Sequence, residues 1–99
     1  MPESRAHKTA ANRIAQTYGT EYNDGPGADI QTSRLAVEVE PAETVSAAMA
    51  QLQGYRKPVY IAGTNQQAVE KALEITEGTT VGVMDSQGNI VKRSSRKRA

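Results

Sequence analysis

The chain has 99 residues, of which 37% are hydrophobic and 23% charged, a balance typical of one globular domain rather than a disordered segment. It contains no cysteine, which excludes disulfides, thiolate zinc sites and cysteine nucleophiles and favours a cytoplasmic location. No apolar stretch approaches the roughly 20 residues that span a bilayer, so we expect no membrane association. With no Phe or Trp, the core must be built from small aliphatic residues, and pairing with a second copy would stabilise it.

The first part of the chain predicts a helix followed by a meander of short strands. Residues 4–18 carry an apolar stripe at helical spacing, with Ser4 as the N-cap and Gly19 as the stop. Three strands then alternate with a glycine-rich turn and a polar turn, and we place them at residues 20–22, 28–30 and 35–40.

The second part predicts alternating helices and strands. Pro41 suits the first position of a second helix that ends near Gly54. The elements that follow are a buried strand at 58–62, a third helix with a Thr64–Gln67 capping box and a stop at Gly78, and a hairpin formed by 79–84 and 89–92. A strand–helix–strand unit of this length favours a right-handed crossover and parallel pairing.

This order of elements predicts an α/β-class fold, more specifically an α+β domain with a mixed sheet flanked by helices. We assign residues 1–91 to this single domain and residues 92–99 to a flexible basic tail. The basic residues of the tail are Lys92, Arg93, Arg96, Lys97 and Arg98. The remainder of the chain is acidic, with seven basic residues against 11 acidic ones. Such a tail can contact phosphates, and a purely solubilising end is an equally good interpretation.

Three acidic residues carry the strongest chemical signal in the sequence. Glu38 and Glu40 are two residues apart on a predicted strand, so their side chains point to the same face. Asp29 precedes them across one turn, and antiparallel pairing would bring it beside Glu38. Strand interiors disfavour acids, so this grouping needs a reason. Either a divalent cation neutralises the carboxylates, or they lie on a solvated strand face.

Asp29 and the Glu38-Val39-Glu40 run, in this order of helices and strands, resemble the PD-(D/E)XK nuclease superfamily. That superfamily includes many restriction endonucleases and the archaeal Holliday-junction resolvases, and the likeness covers residues 4–62. The resemblance implies a restriction endonuclease-like core, namely a helix, a three-stranded meander, a helix and a further strand. It also implies a homodimer that hydrolyses phosphodiesters in duplex or branched DNA with Mg²⁺ or Mn²⁺.

The resemblance assigns roles to the acidic residues one by one. Asp29 and Glu38 match the two metal-binding acids, and Val39 supplies the main-chain carbonyl that often completes the coordination. Glu40 stands where the family normally has a lysine, and in some active restriction enzymes a Glu at this position is proposed to act as a ligand or base. Family members often place a further acid on the first helix, for which Glu3 is the candidate.

The same resemblance extends to the second helix and the basic residues. Gln51 and Tyr55 match a Gln-x-x-x-Tyr motif that helps to hold substrate and active site. Lys57 is the candidate replacement for the missing lysine, because it abuts the strand next to that of Glu38. Substrate support falls to Tyr55, to Arg56 and to the basic tail. For Gln51 and Tyr55 an ordinary structural role is an equally good interpretation.

Two other functions remain open from the sequence. One is a catalytically inactive member of the same fold that binds nucleic acid or a protein partner. The other is an unrelated α/β interaction domain, in which Asp29 and Glu38 would lie far apart. His7 is the single histidine, and because nothing in the sequence pairs with it, we expect it to be exposed on the first helix.

Overall fold

A computed structural model describes residues 5–23 and 25–97, and its centre is a five-stranded mixed sheet. The strands lie in the sheet in the order in which they occur in the chain. They are β1 (Ile30–Gln31), β2 (Ala36–Glu40), β3 (Val59–Gly63), β4 (Gly82–Met84) and β5 (Ile90–Lys92). The three central strands run parallel, and the two short edge strands pair antiparallel with their neighbours.

Helices cover both faces of this sheet. They are α1 (Arg5–Thr17), α2 (Val45–Gln51), which a single 3₁₀ turn (Ala42–Thr44) precedes, and α3 (Gln66–Thr76). Helix α1 packs its small apolar residues and Ile14 against Val37, Val39 and Tyr60 on one face. Helices α2 and α3 pack against the opposite face, where Val59 and Ile61 lie. Two apolar layers therefore enclose β2 and β3, which carry no exposed residue.

The predicted α+β class with a mixed sheet is confirmed. The strand–helix–strand unit also forms as predicted, with β2 and β3 parallel from Ala36 opposite Val59 to Glu40 opposite Gly63. The terminal hairpin is present as β4 and β5, and Gly88 takes the positive φ of 85° that its turn requires.

Three local predictions were wrong. Residues 20–22 do not form a strand. The residue that follows them, Asn23, donates one backbone hydrogen bond of 2.7 Å to the carbonyl of Asp29, just before β1. The cap of α3 is Asn65 rather than Thr64, because the Thr64 N–H donates to the Glu40 carbonyl and so extends the pairing of β3. Pro41 leads into the 3₁₀ turn instead of directly into α2.

The basic tail, as far as the structure describes it, lies against the domain. Lys92 is the last residue of β5, so the predicted boundary after residue 91 falls inside a strand. The Ser94 hydroxyl accepts from the Val59 N–H at 3.2 Å and donates to the Thr80 carbonyl at 2.7 Å. Arg96 donates from its guanidinium to the carbonyls of Leu52 and Tyr55, just beyond α2.

Candidate functional site

The sheet brings Asp29 and Glu38 into direct contact. Asp29 immediately precedes β1, and the pairing of Ile30 with Val37 places it beside Glu38 on β2. The Glu38 carboxyl group forms hydrogen bonds with the Asp29 side chain and with the Asp29 backbone N–H. The Asp29 carboxylate also accepts a hydrogen bond from a backbone group, because the Val39 N–H donates to Asp29 Oδ2 at 2.9 Å. The predicted side-by-side arrangement of the two acids is therefore present.

Burial gives this pair unusual electrostatics. The Glu38 side chain faces α2 and α3, and only 6% of the residue is exposed. Burial, followed by the neighbouring Asp29 carboxylate and then Glu40, raises the pKa of Glu38 to about 8. Glu38 consequently holds a proton near neutral pH. The alternative of a solvated strand face is wrong for Glu38, and so is the expectation of the interaction-domain alternative that the two acids lie far apart.

His7 also belongs to this cluster, and the expectation that it would be exposed was wrong. It lies in the first turn of α1 with 8% of its surface exposed. Its Nε2 is 3.3 Å from Asp29 Oδ2, and its ring contacts Tyr22 edge-on at 5.9 Å between centroids. The apolar stripe of α1 contains a signal that reveals this burial, because His7 precedes the stripe residues Ala10 and Ile14 by three and seven positions.

Glu40 lies at the edge of the acidic cluster. It is half-buried at the end of β2, and its Oε1 accepts a hydrogen bond of 2.7 Å from the Thr44 hydroxyl. Its negative charge is close enough to Glu38 to contribute to the raised pKa of that residue. Glu40 therefore lies next to the Asp29–Glu38 pair.

Of the two residues of the Gln-x-x-x-Tyr motif, Tyr55 forms a hydrogen bond next to the acidic pair, whereas Gln51 is exposed. The Tyr55 hydroxyl accepts a hydrogen bond of 2.9 Å from the N–H of Ala28, the residue before Asp29. Tyr55 thereby holds the segment that positions Asp29. Gln51 is the last residue of α2 and is exposed.

Lys57 and Arg56, which the sequence predicted to assist the acids or the substrate, do not contact the acidic pair in the structure. The Lys57 ammonium donates to Gln31 Oε1 at 3.1 Å and to the Thr32 carbonyl at 2.7 Å, at the turn of the β1–β2 hairpin. Asp29 lies at the opposite end of β1 from this turn. Arg56 is exposed.

In the basic tail, two side chains are engaged within the domain. Lys92 donates to the Thr76 carbonyl, and Arg96 binds the carbonyls beyond α2. Arg93 and Lys97 are exposed. Arg98 and Glu3, which the sequence also singled out, lie outside the described residues.

The Asp29–Glu38 pair is a two-carboxylate set rather than a complete metal cage. Among residues 5–23 and 25–97, no group of three or more His, Cys, Asp or Glu side chains is arranged to hold a metal ion. Mg²⁺ in proteins often takes only one or two carboxylates and fills its other positions with water and substrate phosphate. Two adjacent carboxyl groups beside the Val39 main chain match that preference, provided that Glu38 gives up its proton.

No protein-family model, curated protein or solved structure matches the chain. Within the described parts, no helix is both long and apolar enough to cross a bilayer. The fold and site together define a small α+β domain with a hydrogen-bonded carboxyl pair, a histidine and a further glutamate at the junction of α1, β1 and β2.

Proposed function

We propose that this protein is a Mg²⁺- or Mn²⁺-dependent DNA endonuclease with a PD-(D/E)XK-type core. The observation that carries the proposal is the contact between Asp29 and Glu38. A two-residue edge strand and a buried central strand bring one acid each to the same point. The succession of α1, the β1–β2 hairpin, α2 and the parallel strand β3 matches the core that the resemblance implies, except for the first strand of its meander, which does not form.

The energetics of the pair also support a functional role. A buried carboxyl group beside a second one disfavours ionisation, and an apolar pair at the same place would avoid this cost. Strongly perturbed pKa values are concentrated at functional sites, where burial and like charges are used to shift them. A divalent cation would neutralise both carboxylates and replace the proton on Glu38.

In the proposed mechanism, Asp29 and Glu38 would hold the cation, and the Val39 carbonyl would supply a third protein oxygen. A bound Mg²⁺ would polarise the phosphoryl oxygen and lower the pKa of a coordinated water. The Val39 N–H and His7 fix the Asp29 carboxylate. Glu38 would give up its proton to a bound cation, and Glu40 would accept a proton from the attacking water in place of the family lysine.

We further propose that the active form is a cytoplasmic homodimer acting on duplex or branched DNA. Each chain contributes one Asp29–Glu38 site, and one site cuts one strand. Cleavage of both strands of a duplex or a junction therefore calls for two copies.

The second candidate function is a catalytically inactive nuclease fold that binds nucleic acid or a protein partner. Two observations favour it. Glu40 occupies the lysine position, and the Lys57 ammonium is held at Gln31 and Thr32 instead of at the acids.

Incubation with branched, duplex and single-stranded DNA in Mg²⁺ or Mn²⁺ tests the proposal. We expect metal-dependent cleavage by the wild type and a loss of about 100-fold or more in Glu38→Gln, which keeps the shape of the protonated acid but does not supply an anionic ligand. Glu74→Gln, an exposed change on α3, is the matched control and should cut like the wild type. Cleavage that persists in Glu38→Gln contradicts the proposal.

Glu40→Lys separates the two candidate functions. If the wild type cuts no substrate but Glu40→Lys gains metal-dependent cleavage, the chain is an inactivated nuclease. If neither protein cuts and neither binds Mg²⁺ or Mn²⁺ in calorimetry, the metal site itself is disproved.

A further inference from the structure

The outward surface of α1 is basic and contains no acid. We define the α1 basic face as its exposed positions Arg5, Lys8, Asn12, Arg13 and Gln16. Between residues 5 and 20 the chain has three cationic side chains, besides His7, and no Asp or Glu. No salt bridge joins Arg5, Lys8 or Arg13 to any residue that the structure describes. These charges are therefore available to an anionic partner on an otherwise acidic domain.

The α1 basic face lies on the solvent side of the helix, and His7 lies on its buried side. His7 stands in the first turn of the same helix and contacts Asp29 at 3.3 Å, so the N-terminal end of α1 is anchored at the carboxyl pair. Arg5 and Lys8 flank His7 in the chain. Since a helix rises 1.5 Å per residue, Arg5 and Arg13 are separated by about 12 Å along the axis, comparable to three or four nucleotide steps of 3.4 Å.

The basic tail is less suited to the same task. Lys92 and Arg96 are already bound to backbone carbonyls of the domain, so contact with a phosphate would cost those hydrogen bonds. The sequence pointed to the tail because its charges are consecutive, whereas the charges of α1 gather only when the helix forms.

We propose that the α1 basic face binds the phosphate backbone of DNA, with the N-terminal end of α1, where His7 contacts Asp29, nearest to the Asp29–Glu38 site. This inference rests on the proposed function and names the surface that binds its substrate. Arg5, Lys8 and Arg13 neutralise phosphates, while Asn12 and Gln16 provide polar contacts to the backbone.

The test compares two triple variants that each remove three positive charges. The α1 variant is Arg5→Gln, Lys8→Gln and Arg13→Gln, which keeps a good helix former at each position. The matched control is Lys71→Gln, Arg93→Gln and Lys97→Gln, all at exposed positions outside α1. Fluorescence anisotropy with labelled duplex and branched DNA is recorded in EDTA at several salt concentrations, with circular dichroism melts to verify folding.

We expect the α1 variant to bind about tenfold or more weakly than the wild type near 100 mM salt. Its slope of log K against log salt should fall by about 2 to 3, because each lost phosphate contact removes about 0.9. The control should keep both values close to those of the wild type. Conversely, Gln16→Lys should bind more tightly, by about threefold, while Gln67→Lys on α3 should not.

Several outcomes overturn the inference. Equal losses in both triple variants would mean a general effect of net charge, and a larger loss in the control would assign binding to the tail. If the wild type does not bind DNA, the α1 basic face is not a DNA-binding surface. If it binds polyglutamate as tightly as DNA, the partner of the face is an acidic protein. Because DNA binding is measured without metal, the binding result is independent of the cleavage result. If the α1 variant loses DNA binding but Glu38→Gln cleaves DNA like the wild type, the basic face is supported and only the proposed catalytic site is disproved.

Discussion

The carboxyl groups of Asp29 and Glu38 are hydrogen-bonded to each other at the junction of β1 and β2, in a setting that keeps Glu38 protonated near neutral pH. The raised pKa of Glu38 depends both on its own burial and on the neighbouring Asp29 carboxylate. Asp29 lies at the edge of the sheet, whereas Glu38 is held between apolar neighbours on a central strand. Their contact thus joins two largely buried carboxyl groups, since the Asp29 side chain is 13% exposed, and the properties of the pair can be tested separately from catalysis.

We expect the stability of the protein to fall as pH rises from about 4.3 to about 8. The unfolded state loses the Glu38 proton near pH 4.3, whereas the raised pKa keeps it bound in the folded state up to about pH 8. The contribution of Glu38 is complete below the lower value and decreases by up to about 1.4 kcal/mol per pH unit between them. Urea unfolding from pH 4 to 9 measures this slope.

Glu38→Gln should flatten that pH dependence, since glutamine is neutral throughout and still forms a hydrogen bond with Asp29. Glu74→Gln, on the exposed face of α3, should keep the wild-type slope. A Glu38→Gln protein whose stability still falls at the wild-type rate would show that another group titrates.

Metal binding should be accompanied by proton release. Mg²⁺ competes with the proton on Glu38, so its apparent affinity should weaken about tenfold for each pH unit below 8. Calorimetry at pH 7 in two buffers of different ionisation enthalpy should detect about one proton released per ion bound. Asp29→Asn and Glu38→Gln should both lose binding. An affinity that is constant between pH 6.5 and 8.5 would contradict the assigned ligands.

Tyr55→Phe should lower stability and loosen the segment before Asp29. The change removes the hydroxyl that accepts the Ala28 N–H and leaves a buried donor without its partner, at a cost of about 1 to 3 kcal/mol. Tyr60→Phe is the control, because the Tyr60 hydroxyl makes no hydrogen bond to any residue that the structure describes. Urea unfolding and amide exchange at Ala28 measure the two effects. An unchanged exchange rate at Ala28 would show that the Tyr55 hydroxyl does not hold this segment.

Arg96→Ala should destabilise the domain by about 1 to 3 kcal/mol, because its guanidinium satisfies the carbonyls of Leu52 and Tyr55 at the end of α2. Lys97→Ala next to it is exposed and should change the free energy of unfolding by less than about 0.5 kcal/mol. Urea unfolding compares the two variants. Equal, small effects would mean that the tail makes no stabilising contact and is flexible, as the sequence suggested.

The pattern of apolar residues in the sequence determined most of the fold. Helical spacing placed α1, α2 and α3 to within a few residues, and short β-rich runs placed β2 to β5, because side-chain periodicity decides which face each element buries. The strand predicted at residues 20–22 failed since strand formation depends on a partner, and only the Asn23 N–H finds one beside β1.

For the site, the sequence by itself predicted that Asp29 and Glu38 meet if their strands pair antiparallel across the short turn, and it left open that the two acids lie far apart. Only the tertiary structure decided the rest. It buried Glu38 and so raised its pKa, turned His7 inward onto Asp29, directed Lys57 away from the acids and bound Arg96 to α2. Burial and long-range hydrogen bonds depend on which elements pack together, and local sequence does not contain that information.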